Sequence, residues 1–183
     1  LLAYDKKMDG FGVVVLATVT AIGGGTGRDV ILDVPVFWLH DQSYFWAILL
    51  SVFVTTRLIN KQRSISLNAL QVADAFGLAF FAVMGAQKAM LAGMPDTTAI
   101  IMGVITGCFG GVIRDVLAGN MPMLLKGELY AITCIAGGIV YTLSISLGFV
   151  TEVAMVLAML MTLSLRLAAM KWQLTLHVFK YPD

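Results

Sequence analysis

Two charged pairs, Arg28-Asp29 and Arg114-Asp115, stand inside long apolar stretches. A charge near the middle of a membrane costs about 2.5 kcal/mol or more, so each pair needs a partner or water. An adjacent arginine and aspartate can serve as a structural salt bridge or helix cap. They can also form a charged vestibule or gate at the mouth of a polar path. If the arginines cross-pair with aspartates, the charges cancel and leave a path that tolerates cations.

Each pair follows a glycine run by about one helical turn. Gly23, Gly24 and Gly25 precede Arg28, and Gly110 and Gly111 precede Arg114. Glycine costs a helix roughly 1 kcal/mol relative to alanine. A helix that unwinds there must turn its free N–H and C=O groups toward protein or water. Its carbonyl oxygens can then replace part of a cation's hydration shell. The competing reading is packing. Ala17, Ala21 and Gly25, like Gly103, Gly107 and Gly111, recur on one helix face and let another helix approach closely.

Other polar residues join this set. Asp74 and Lys88 are close to four turns apart, so they project from one face of a helix. Lys88 either lies in a path and regulates it by charge, or snorkels to the interface. Thr20, Thr26 and Thr106 either line a path or bond their own backbone. Cys108 and Cys134 read as packing residues in apolar runs, and His40 and His177 lack partners at metal spacing. The eleven methionines form no set with Cys and His. The run Gly23 to Asp29 lacks the Gly-Lys-Ser/Thr ending of a phosphate loop. No cofactor and no stable metal site is expected, and no enzyme constellation is recognisable.

These residues need a membrane fold to position them. The 183 residues are 59% hydrophobic and 13% charged, with a mean hydropathy of +0.89. Soluble domains are about 45–50% apolar and about 25% charged, so the excess apolar surface must face lipid. With a net charge of +1 and no basic face, nucleic acid is not an expected partner. No cleaved export signal is recognisable. Apolar runs predict six membrane helices, over 10–32, 44–58, 67–91, 98–117, 129–147 and 149–170. The glycine runs interrupt the first and fourth. Trp38, Tyr44, Phe45 and Trp46 form an interfacial aromatic cluster.

The chain repeats at a constant offset of 86 residues: Thr20 matches Thr106, Gly24 matches Gly110, Arg28 matches Arg114 and Asp29 matches Asp115. Three crossings separate matched points, so the second copy is inverted. The helix over 67–91 begins the second copy, and its mate would precede residue 1. The expectation is a single all-α membrane domain of inverted three-helix repeats plus a final helix, seven in the parent protein and about six here. The first repeat is 1–63, the second 64–148, the final helix 149–171 and a cytoplasmic tail 172–183. One side of the membrane then receives Lys6, Lys7, Arg57, Lys61, Arg63, Arg114, Lys126, Arg166, Lys171 and Lys180, and the other only Arg28 and Lys88. This bias puts the C-terminus in the cytoplasm.

The run Ala21 to Val30, Pro35 to Trp38, Asp74 to Ala79, Gly85 to Ala89 and Gly110 to Val116 resemble bacterial members of the trimeric intracellular cation (TRIC) channels. Those sequences also carry the label of a glycine-transporter-like inner-membrane domain. The resemblance covers nearly the whole chain. It implies a homotrimer in the inner membrane, surrounded by lipid, with one pore per subunit for transient K⁺ and Na⁺ passage. It also implies that Gly23, Gly24, Gly25, Gly110 and Gly111 are kinks lining the path beside Arg28, Asp29, Arg114 and Asp115. The Lys-Glu-Val lipid-binding motif of animal members is absent, so phosphoinositide regulation is not implied. The leading expectation is a passive cation channel. The alternatives are a secondary transporter of a small zwitterion such as glycine, and a structural protein whose glycines only pack helices.

Overall fold

The computed structural model describes residues 2–60, 67–126 and 129–175. It contains a short helix α1 (Leu2–Asp5), then α2 (Gly10–Ile31), α3 (Ser43–Asn60), α4 (Leu67–Leu91), α5 (Asp96–Leu117), α6 (Ala131–Ser146) and α7 (Thr151–Trp172). Among the described residues there is no strand. The helices α2, α4, α5 and α7 are each long and apolar enough to cross a membrane, and α3 and α6 are apolar but shorter. Lys61, Arg63, His177 and Lys180, named above from the sequence, lie outside the described residues.

Local signals set the helix ends. Asp9 caps α2 by accepting a 2.8 Å hydrogen bond from the Gly12 N–H. Helices α2 and α5 stop in the same way. The Val34 N–H donates to the Asp29 carbonyl at 3.0 Å, and the Asn120 N–H to the Asp115 carbonyl at 2.8 Å. Both are the long closing bonds of a left-handed helix cap. The left-handed residue is Asp33 in one copy (φ 52°) and Gly119 in the other (φ 66°). A side chain costs up to about 1–2 kcal/mol in that conformation, less for aspartate. Asp33→Gly, at an exposed site, should therefore raise stability by about 0.5–1 kcal/mol. Thermal unfolding in detergent checks this, and an unchanged or lower midpoint contradicts it.

Packing is by small residues. Helix α4 turns a stripe of Ala75, Ala79, Ala82, Ala86 and Ala89, all almost fully buried, toward its neighbours. It packs against α5, α6 and α7, while α2 packs chiefly on α5 and α3 packs on α2. A Cβ on Gly103 would strike the Ala82 carbonyl, and one on Gly137 the Thr162 hydroxyl. Large apolar side chains such as Trp46, Phe53, Phe80, Leu143 and Leu160 stay exposed, as lipid-facing residues must.

The helices do not break at the glycines. Both α2 and α5 remain α-helical through Gly23–Gly25 and Gly110–Gly111. The cause is reciprocal packing, which outweighs the low helix propensity of glycine. A Cβ on Gly24 would collide with the Thr106 carbonyl, and one on Gly110 with the Thr20 carbonyl. The two helices therefore cross antiparallel at positions matched by the repeat. Gly25 instead makes room for the Phe37 ring, and a Cβ on Gly23 would meet only the tip of Ile113.

Candidate functional site

The polar residues inside this bundle gather in two clusters at opposite ends of α4. Its fourteen-residue separation between Asp74 and Lys88 corresponds to about 20 Å along the axis.

The first cluster centres on Asp29, whose side chain is fully buried. Its Oδ1 receives Arg28 Nη2 at 2.7 Å and Arg28 Nε at 2.8 Å. Lys88 Nζ reaches both carboxylate oxygens at 2.9 Å. The Phe37 N–H donates to Oδ2 at 3.0 Å. The segment after α2 is pinned over this cluster. Trp38 Nε1 donates to Thr26 Oγ1 at 3.0 Å, and the Arg28 guanidinium lies 6.0 Å from the centre of the Phe37 ring. Phe37 in turn meets Tyr44 edge-on at 4.8 Å.

The second cluster repeats this plan around Asp115. Arg114 Nε donates to its Oδ1 at 2.8 Å, and the Met123 N–H donates to its Oδ2 at 3.2 Å. Met123 is 86 residues after Phe37, so the repeat reproduces this backbone-to-carboxylate bond as well as the helix cap. The copies then diverge. No lysine reaches Asp115 among the described residues, because the repeat mate of Lys88 is Leu2. In its place Asp74, Tyr130 and Arg166 converge from α4, the start of α6 and α7, together with Arg114. Arg166 is 1% exposed, and its guanidinium sits 4.8 Å from the centre of the Tyr130 ring.

Several expectations change here. The arginines pair with their own neighbouring aspartates, not across the repeat, and Lys88 supplies the tie from α4 to α2. Lys88 is only one-third exposed and points into the bundle, so it does not snorkel. Thr20 and Thr106 each bond the carbonyl four residues back at 2.6 Å, as Thr26 does at 2.7 Å. Their hydroxyls are thus spent on their own helices, and Thr106 is buried. Gly111 has no close neighbour: a Cβ there would lie 3.7 Å from Arg114 Nη2. Cys108 and Cys134 touch in the core at 3.9 Å between sulfurs and are free thiols. Among the described residues no group of acids, histidines and cysteines could hold a metal ion.

Sequence reasoning missed Arg166 as a site residue, counting it only toward orientation. The signal was present, because it is the only charge deep inside the last apolar helix, where ionisable residues are functional by default. The contacts of Phe37, Trp38, Met123 and Tyr130 run through backbone N–H groups, a ring N–H and ring faces, so residue type alone does not announce them.

A cavity of about 710 Å³ opens between α2, α3 and the segment after α5. Its walls are mostly apolar, with Thr20, Ser51 and Thr55 among them, and Arg114, Asp115 and Lys126 lie at one end. Ala17 and Ala21 on its wall are the repeat mates of Gly103 and Gly107, which face α4 in the other half. The cavity thus occupies, in the first repeat, the place that α4 fills in the second.

Comparison with known proteins agrees with this architecture. The profile of the family described as Glycine transporter matches residues 1–59 and 71–146. A UPF0126 membrane protein of Vibrio cholerae is 47% identical over 98% of this chain and 75% of its own length. The UPF0126 inner membrane protein YadS of Escherichia coli is 46% identical over 98% of this chain and 87% of its own. Among solved structures, a TRIC cation channel superposes with a TM-score of 0.90 at 34% identity, covering 99% of this chain and 89% of that one. The TRIC trimeric intracellular cation channel orthologue from Rhodobacter sphaeroides superposes at 0.86 with 36% identity, covering 94% of this chain and 89% of that one. The inverted repeats, the helix order and these matches together make the chain a membrane protein of the Glycine transporter family, built on the TRIC channel fold.

Proposed function

We propose that this protein is a passive channel for K⁺ and Na⁺ in the inner membrane, with a separate path in each subunit of a homotrimer. The observation that supports it best is the pair of repeat-related charge clusters, one at each end of the α2–α5 crossing, in a fold that superposes at 0.90 on a TRIC cation channel. Unwound backbone plays no part in this reading, since both helices are continuous. The path instead follows the seam between α2 and α5, whose glycine contacts allow the helices to part. A protein of this kind moves ions and is not an enzyme.

With the C-terminus cytoplasmic, the Lys88 cluster faces outward and the Asp74 cluster inward. In this reading the outer mouth is closed while Lys88 bridges α4 to α2 through Asp29, the contact the ion pair makes. Withdrawal of Lys88 leaves Arg28 and Asp29 as a neutral pair and frees the outer mouth. The inner mouth carries Arg114, Asp115, Asp74 and Arg166. The reading divides the chain into repeats 1–63 and 64–148, a final helix 149–171 and a cytoplasmic tail 172–183, with lipid covering the exposed apolar faces.

A second reading is a carrier of a small zwitterion, favoured by the Glycine transporter description of the matching family. Proteoliposomes separate the two. A channel releases trapped K⁺ under a gradient with no added substrate, faster than the roughly 10³ events per second of a fast turnover cycle. Uptake of labelled glycine that saturates and stays within such a turnover rate, without K⁺ leak, would favour the carrier.

A further inference from the structure

The two mouths differ in what their carboxylates still have to offer. Both oxygens of Asp29 are engaged, by Arg28, Lys88 and the Phe37 N–H. Both oxygens of Asp115 are engaged, by Arg114 and the Met123 N–H. Asp74 is different: its Oδ2 is buried and has no hydrogen-bond partner. An orphaned carboxylate oxygen inside a protein carries a desolvation cost, and structures keep such groups where something else completes them. The charges around Asp74 are Arg114, Arg166 and Asp115, with the Tyr130 hydroxyl beside it. Helix α5, the start of α6 and helix α7 thus bring charged and polar residues to the surroundings of this carboxylate.

Charge arithmetic says what completes it. The outer cluster holds two cations, Arg28 and Lys88, against one carboxylate, Asp29. Around the inner mouth Arg114 and Arg166 face two carboxylates, Asp115 and Asp74, and Lys126 adds a third cation at that end of the cavity. Asp74 offsets one of these cations, and without it the inner end would carry a larger net positive charge, which repels cations and draws anions. We propose that Asp74 is the residue that selects cations over anions at the inner mouth, its free Oδ2 replacing one water of a passing monovalent cation. The site so proposed is a point of passage and not a resident metal centre.

The proposal rests on the channel reading, and the experiment separates the two. Reversal potentials are recorded in asymmetric KCl for the wild-type protein, Asp74→Asn and Asp74→Glu. Asparagine keeps the size and the contact with Tyr130 but removes the charge. The expected result is a fall of about tenfold or more in the K⁺-to-Cl⁻ permeability ratio for Asp74→Asn, with Asp74→Glu close to wild type. A conducting Asp74→Asn whose ratio equals wild type overturns the proposal and leaves the channel reading standing. No current from correctly assembled wild type overturns the channel reading itself. A second measurement uses unmodified protein and so does not depend on the variant folding. Reaction of Asp74 with a hydrophobic carbodiimide, mapped by mass spectrometry, should be slowed at least severalfold by KCl relative to N-methylglucamine chloride at equal ionic strength. Equal rates in the two salts also overturn the proposal.

Discussion

Lys88→Met should raise the open fraction of the channel by about tenfold or more. Hydrogen bonds to a charged group contribute about 1.5–3 kcal/mol each, and a two-state equilibrium shifts tenfold for each 1.4 kcal/mol. Lys88 is the only side chain that ties α4 to the Asp29 cluster among the described residues, and it touches both carboxylate oxygens. Methionine keeps the length and apolar stem but cannot hold the aspartate. Asp29 remains held by Arg28 and by the Phe37 N–H, so the fold should survive. Asp29→Asn is a harsher change, because it leaves two cations facing a neutral amide. Breaking a buried pair in this way costs about 3–5 kcal/mol, and low yield of folded protein is expected. Single-channel open probability reads the first variant, and thermal stability in detergent reads the second. If Lys88→Met gates like wild type, the lysine is an anchor and the outer mouth closes elsewhere.

Gly24→Val should be among the most damaging single substitutions in the chain. Its Cβ would collide with the Thr106 carbonyl oxygen. A backbone atom in a continuous helix cannot swing aside, so α2 and α5 must separate along their crossing. Overpacking of this kind costs about 1–3 kcal/mol and often more. Gly110→Val should behave alike, because at the repeat-matched position its Cβ would collide with the Thr20 carbonyl. Gly77→Ala is the contrasting case: it lies inside α4 with nothing within 4 Å of an added Cβ. There the helix propensity of alanine should stabilise by about 1 kcal/mol. Gly111→Ala should be tolerated for the same lack of close neighbours. Folded yield and thermal midpoint check the series. Equal effects at Gly24 and Gly77 would contradict close packing at the crossing.

Hydropathy alone made the membrane helices legible, since a lipid-facing surface leaves long apolar runs. The offset of 86 made the inversion legible, because it aligned glycines and charges in register. It also related positions that look unalike: Asp33 and Gly119 take the same left-handed cap, and Phe37 and Met123 give the same N–H to an aspartate. Propensity misled at the glycines. Taken alone, a run of three weakens a helix. Folded, the missing side chains let two backbones meet, and the helix holds. The tie from Lys88 to Asp29 spans 59 residues and depends on how α4 leans on α2, which no local pattern encodes. Arg166 and Tyr130 meet through a ring face, a contact equally invisible in spacing.

The most direct measurement is single-channel recording of the purified protein in a planar bilayer, under a KCl gradient with no other solute. Discrete current steps reversing near the K⁺ equilibrium potential are the expected result. An electrically silent bilayer containing correctly assembled protein, with transport appearing only when a zwitterionic substrate is supplied, would contradict it.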